Sequence, residues 1–363
     1  MKKLKDSFAG VLVGLGLLVA GSALLWWNEG NNVRNLKTTK EASKEYIDVT
    51  SEKVDKQNEG KLVATNGAVV LSGEAVDSVF GIKFNTAHLV RTVEMFQWKE
   101  ESHTDDNDKT TYSYKKVWSS SLIDSSEFKE GGHSNPANMT YKSDEFLAPQ
   151  VNVGAFVLSK GQVRRMSASR ELPLFDEKPA RNLTISGDYM TSTKDEGDPQ
   201  IGDIRVSWSF NDWEEASILA RQKGNSFEDF VSKSNKTINR VEKGILSGQQ
   251  ILEEIKNENK FLKWFFRLVG LLVVFGGYYL IIGPLTTLTS FVPFLGTLVG
   301  GLLGTVAFLV AFVHSLVLVA IAWLRFRPIF ACVLLVVAVA LIIVIRRMTK
   351  KAKAEKTDAA VKA

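Results

Sequence analysis

One cysteine stands in 363 residues, Cys332, and it lies inside an apolar run. An internal disulfide is therefore excluded, and so is a cysteine-based zinc framework. Histidine is scarce too: His88, His103, His133 and His314 are the whole set, and their spacing matches no metal-ligand pattern. Charge is missing over long stretches. Phe8 to Trp27 carries none over 20 residues, and Leu268 to Leu324 contains no Asp, Glu, Lys or Arg over 57. Such runs exclude a soluble globular enzyme as the whole molecule. Walker, Rossmann and nucleophile-elbow motifs are absent, and no catalytic residue, cofactor site or metal site is assigned. The chain reads as a non-enzyme.

What charge there is lies unevenly. The formal net charge is +5, from 45 Lys and Arg against 40 Asp and Glu. Residues 1–27 hold 3 basic and 1 acidic side chains, residues 28–263 hold 32 and 37, and residues 264–363 hold 10 and 2. The basic excess sits in the tails, beside apolar runs, which argues against a nucleic-acid partner.

The first apolar run is long enough, at about 1.5 Å per residue, to cross a hydrocarbon core of roughly 30 Å. It ends in Trp26-Trp27, an aromatic pair suited to the interface. A cleaved signal peptide is the rival reading, but the run is long for one and no clear small-residue cleavage site precedes Asn28. The 57 uncharged residues further on would extend about 85 Å as one helix, too far for a single crossing. Pro284 and Pro293 interrupt them. The pattern predicts helices over about 264–283 and 302–323. The remainder, 285–301, reads as an interfacial or re-entrant segment, or as an early start to the next span. A last helix is expected from Pro328 to Ile345, with proline in its first turn.

Four spans place both termini on one side. Lys2, Lys3 and Lys5 precede the first, and Arg346, Arg347, Lys350, Lys351 and Lys353 follow the last. The positive-inside rule makes both tails cytoplasmic. Arg325 and Arg327 then fall in the short outer turn, where they would meet something anionic, such as lipid headgroups or the domain above.

The expected fold is a multi-pass α-helical membrane protein with four spans and a large β-rich α+β extracytoplasmic domain. Residues 1–27 form a cytoplasmic tail and first transmembrane helix. Residues 28–263 form the extracytoplasmic or lumenal domain with helical stalks, residues 264–346 a three-helix membrane region, and residues 347–363 a basic cytoplasmic tail. In the domain, 31–58 read as helix or stalk. Asn66-Gly67 splits LVATNGAVVLSG as a hairpin signal. His88–Lys99 and Thr110–Trp118 read as strands around a charged loop, and 151–158, 181–190 and 203–210 as further strands. Ser247 with Gln250 forms a capping box, and no helix breaker follows until Gly270. A helix running from 248 through the second span would couple the domain rigidly to the membrane region.

Eight pieces of the chain, in order, carry a resemblance. They are Asn28-Glu29-Gly30; Val93-Glu94-Met95-Phe96-Gln97-Trp98; Tyr112-Ser113-Tyr114 with Trp118; and His133-x-Asn135-Pro136. Val153-Gly154-x-Phe156, Gly202-Asp203-Ile204-Arg205-Val206-Ser207, Ala220-Arg221-Gln222-x-Gly224 and Trp323-Leu324-x-Phe326-Arg327-Pro328 complete them. Over nearly its full length the chain resembles the transmembrane protein 43 (LUMA) family. The resemblance implies one N-terminal span, a large lumenal domain, three C-terminal spans and self-association. In animals it implies the endoplasmic reticulum and inner nuclear membrane, nuclear-envelope organisation, and lamin and emerin partners. In a prokaryote the inner membrane takes their place. The family brings no catalytic motif.

Several local features invite chemistry and have plainer accounts. His133-Ser134-Asn135-Pro136 lies in a polar loop, where Asn-Pro favours a turn. Asp195 to Pro199 lacks the twelve-residue pattern of a calcium loop. Phe96, Trp98, Tyr112, Tyr114 and Trp118 fall on adjacent strands, as hairpin packing or as a partner or lipid face. Gly296, Gly300 and Gly304 line one helix face, and Gly10 and Gly14 repeat the spacing. Such stripes let helix backbones approach, within a chain or between copies. His314 is the intramembrane polar group, either functional or bonded to a neighbouring helix, through residues such as Ser315 or Thr305 of another copy. The reading that results is a membrane-organising scaffold that self-associates through its helices and presents its domain to lipid or to other membrane proteins. The alternative is a channel or transporter built from the C-terminal helices.

Overall fold

The computed structural model describes residues 2–105, 109–175, 177–289 and 293–329, with side chains described over 9–105, 109–175, 177–283 and 303–329. The expected last span beyond Ile329, Cys332 and the basic tail lie outside the described residues, as does the packing of Gly296 and Gly300.

Three helices among the described residues are long and apolar enough to cross a membrane. They belong to α1 (Lys2–Glu45), α3 (Gly248–Thr289) and α4 (Pro293–Phe326); the short α2 is Lys160–Arg165. The capping box forms as expected, with Ser247 Oγ accepting from Gln250 N and Gln250 Oε1 from Ser247 N. One expectation changes, and one of the alternatives for 285–301 is selected in part. Helix α3 continues through Pro284 to Thr289 rather than stopping at 283. Proline removes one backbone bond, and in a spanning helix neighbouring groups and local adjustment offset that loss. Helix α4 begins at Pro293, where a missing donor costs nothing, so 293–301 is an early start to the span.

The chain divides into two compact units. The helical unit comprises residues 1–42, 232–236 and 252–363, and the β-rich unit 43–231 and 237–251. In the helical unit α1 buries Gly14, Gly21, Leu25, Asn28 and Asn32, a stripe at helical spacing. Lipid tails are as apolar as these side chains, so close packing and polar bonds hold the helices together. Gly14 and Gly277 bring two helix backbones close together: a Cβ on Gly14 would lie 2.7 Å from the Gly277 carbonyl oxygen.

The β-rich unit has two seven-stranded sheets. The first centres on β1 (Leu62–Ser72), paired with β5 (Gln150–Val153) and with β7 (Glu215–Lys223), which also pairs with β8 (Arg240–Lys243). The second centres on β2 (His88–Thr104), flanked by β3 (Thr110–Ser119), β4 (Asp144–Leu147) and β6 (Ile204–Phe210). The expected hairpin at Asn66-Gly67 does not form. Strand β1 runs straight through, because Asn66 and Gly67 pair with Ser217 and Ala216 and the Asn66 amide donates to Leu246 O. The close Ser51 hydroxyl, 2.6 Å from where a Cβ would stand, explains the glycine. The real turns fall elsewhere: Gly154 and Gly187, both at positive φ, divide 151–158 and 181–190 into paired short strands.

Each sheet has its own core. One gathers Val63, Val153, Phe156, Ile218 and Val241, and the other Leu89, Val93, Met95, Val206 and Trp208. Strand β2 shows the alternation of a half-buried strand, with Leu89, Arg91, Val93, Met95 and Gln97 turned inward. Arg91 belongs there because Asp77 meets it: Nη1 donates to both carboxylate oxygens at 2.7 Å, and Trp208 Nε1 donates to Oδ2 at 3.0 Å. Arg91 also lies against the Phe80 and Phe146 rings.

Candidate functional site

The other face of β2 carries Glu94, Phe96, Trp98 and Glu100. Opposite them β3 places Trp118 against Phe96, Lys116 against Trp98 and Tyr114 against Glu100. The rings pair as cross-strand neighbours should, with Phe96 and Trp118 centroids 5.2 Å apart. Arg205 on β6 bonds Glu94 at 2.6 Å and lies 4.7 Å from the Trp118 ring. Lys116 stands 5.3 Å from the Trp98 ring. A ladder of alternating rings and charges results.

The segment 121–136 is tied to this ladder. Strand β6 pairs with β2 only as far as Met95, and the backbone of Asp203 and Gly202 then bonds Phe96. Beyond that point Asn135 acts as a substitute strand. Its Oδ1 accepts from Trp98 N at 2.7 Å, and its Nδ2 donates to Trp98 O at 2.9 Å. The buried Gln97 donates to Ser121 O and accepts from Ile123 N. Pro136 packs against Gly202, 3.2 Å from where a Cβ would be. Asp203 accepts from Ser192 Oγ and Gln200 N. His133 stacks on Tyr114 with centroids 3.8 Å apart and meets Trp98 edge-on. It is thus packed between two rings with its Nδ1 buried and without a hydrogen-bond partner, and His103 lies exposed at the far end of β2. Glu100 accepts from the Tyr114 hydroxyl and from Lys129 N. Those two bonds hold its carboxyl below the ordinary glutamate value, in that order of weight. Partial desolvation, then the bond to Glu100, raises the Tyr114 phenol.

The structure therefore brings together Glu94, Gln97, Trp98, Asn135, Pro136, Gly202, Asp203 and Arg205 from three separated stretches. Arg327 and Pro328 lie in the helical unit, where Arg327 N closes the last turn of α4 on Trp323 O at 2.8 Å.

The helical unit contains a polar centre that patterning alone did not single out. Glu29 is 1% exposed. Its Oε1 accepts from Arg267 Nε and Nη2, both at 2.7 Å, and its Oε2 from Trp323 Nε1 at 3.0 Å. One carboxylate thus joins α1, α3 and α4. Its neighbours fit around it: the Asn28 amide donates to Lys263 O, and Gly30 faces the Phe326 ring. The signal available in the sequence was a lone acid directly after an apolar run, between Asn28 and Gly30.

His314 lies deeper, bonded on both ring nitrogens. Tyr278 Oη is 2.9 Å from Nδ1 and Ser22 Oγ is 3.2 Å from Nε2. The Ser22 hydroxyl donates to Leu18 O, so it accepts from Nε2–H, and Tyr278 donates to Nδ1. The bonds tie the imidazole to two other helices. Its partners within this chain come from α1 and α3. Gly304 makes only ordinary contact, with a Cβ position 3.9 Å from Tyr279, while Gly10 has open space around it.

The family described as Transmembrane protein 43 matches across residues 95–328, from the middle of β2 to the end of α4. Transmembrane protein 43 of Homo sapiens is 30% identical over 98% of this chain and 94% of its own length. That of Pongo abelii is likewise 30% identical over 98% and 94%. The Transmembrane protein 43 homolog of Drosophila melanogaster is 28% identical over 92% and 93%. No solved structure matches. With membrane-crossing helices and a β-rich unit in place, the chain is an integral membrane protein and belongs to the transmembrane protein 43 family.

Proposed function

We propose that this protein is a non-enzymatic membrane scaffold. It crosses the membrane four times, keeps both tails in the cytoplasm and self-associates through its C-terminal helices. The observation that carries this reading is the ladder on β2 and β3. It is a half-exposed face of Trp98, Tyr114, Trp118 and Arg205, held rigid by the 121–136 segment. Tyr, Trp and Arg are the residue types that anchor protein interfaces. A face pre-organised by hydrogen bonds loses little freedom on binding. His133 and His314, the residues best placed for chemistry or permeation, are engaged in packing and in bonds within the fold, which supports a structural role. The Leu303–Phe326 span also turns many large apolar side chains outward, among them Leu309, Val313 and Val317.

The test is extraction of the full-length protein from its membrane in a polymer-bounded particle, followed by mass and composition analysis. Several copies of the chain, or co-extracted membrane proteins, are expected. Gly300→Leu should reduce the copy number, and Trp118→Ala with Arg205→Ala should release co-extracted proteins. A single copy with nothing else bound would refute the reading.

A further inference from the structure

Beside the Glu29 cluster, α3 and α4 part to leave a groove of about 360 Å³. It lies wholly within the helical unit and runs along α4 from Trp323 to Phe312. At 1.5 Å per residue that stretch is about 16 Å long, close to half of a hydrocarbon core of roughly 30 Å. Its walls are apolar except at two places. Arg267 stands at the rim; its Nε and Nη2 go to Glu29, which leaves Nη1 over. Ser315 lines the groove, is 8% exposed, and its Oγ has no hydrogen-bond partner. The rim is cationic. Arg267 and Lys263 lie 4.7 and 5.2 Å from the Trp264 ring, and Arg327 is near enough to act on Lys263.

An apolar slot one leaflet deep, with cations at its mouth and an unmet hydroxyl buried just behind its wall, has the chemistry of a lipid site. A sterol or an apolar helix would fill the slot but offer no anion to Lys263 or to the Arg267 Nη1 that Glu29 leaves over. We infer that this groove binds one anionic glycerophospholipid. An acyl chain lies between α3 and α4, the phosphate meets Arg267 Nη1 and Lys263, and an ester carbonyl accepts from Ser315 once its hydroxyl turns from its buried position into the groove. The inference rests on the helices spanning a membrane and is independent of self-association.

The test uses the full chain, delipidated in a neutral detergent. Chain-matched phosphatidylglycerol and phosphatidylcholine are offered at equal concentration, and bound lipid is read by native mass spectrometry. One phosphatidylglycerol should be retained over phosphatidylcholine by about fivefold or more, as one or two juxtamembrane cations provide. Leu316→Trp, which fills the groove away from the Glu29 pair, should abolish retention. Lys263→Gln should lower the preference while thermal unfolding stays unchanged. Equal retention of the two lipids would overturn the inference, as would an unaffected Leu316→Trp variant. So would efficient cross-linking of Ser315→Cys to Cys332 in membranes, because the chain's own C-terminal segment would then fill the groove.

Discussion

Replacing Glu29 by glutamine removes a carboxylate whose side chain is 1% exposed and strands Arg267, whose side chain is 18% exposed. The shape hardly changes, and an amide oxygen still accepts from Trp323. The loss is therefore mainly that of the counter-charge. Breaking a buried pair from one side costs about 3–5 kcal/mol. Arg267 is the less buried partner, so about 3 kcal/mol is expected for Glu29→Gln. Arg267→Met leaves the deeper charge alone and should cost about 4–5 kcal/mol. The double variant leaves no stranded charge, so the coupling should recover about 2–3 kcal/mol. Trp323→Phe removes one bond to a charged acceptor, worth about 1.5–3 kcal/mol. The assay is reversible unfolding of the full chain in mixed micelles, read at the helices. The β-rich unit, which has its own cores, is followed separately. Single effects that add to within about 0.5 kcal/mol in the double variant would refute the network.

Asn135→Ala should unpair Trp98 N and O, at about 1–3 kcal/mol for each group left without a partner. Hydrogen exchange at the Trp98 amide should rise strongly, and unchanged protection would contradict the substitute-strand role. Asp77→Ala leaves Arg91 buried without its partner and should destabilise the β-rich unit by about 3–5 kcal/mol in thermal unfolding. Glu100 is depressed in the folded chain, so its contribution is full above the unfolded glutamate value and fades as pH falls through the lower folded value. The Lys129 amide and the Tyr114 ring should therefore titrate together in NMR with a midpoint below the ordinary glutamate value, and a midpoint at or above it would exclude the bond. Gly14→Leu should force α1 and α3 apart and lower bundle stability, whereas Gly10→Leu should leave it unchanged.

Period and composition made much of this legible in advance. Uncharged runs of about 20 residues can only be buried or in lipid, so the helices around 8–27, 264–283 and 302–323 follow from solvation alone. The β2–β3 hairpin, the Ser247–Gln250 cap and the second-sheet strand at 204–210 were readable because their signals are local. Where local and distant interactions competed, the distant ones won. Asn66-Gly67 has hairpin chemistry, yet pairing with β7 holds it extended. Pro284 has breaker chemistry, yet α3 continues through it.

The family-motif residues were legible as a set but not as a place. Nothing in their spacing says that Asn135 completes the edge of β2 at Trp98, or that Arg205 bridges Glu94 and Trp118, because those contacts depend on sheet register. The sequence alone determined that the chain enters a membrane and carries a β-rich domain, because transfer of apolar and charged side chains depends on residue type. Only the tertiary structure decided that Glu29 joins three helices and that His314 is spent on Tyr278 and Ser22, because the sign of a buried polar group's contribution depends on which partner reaches it.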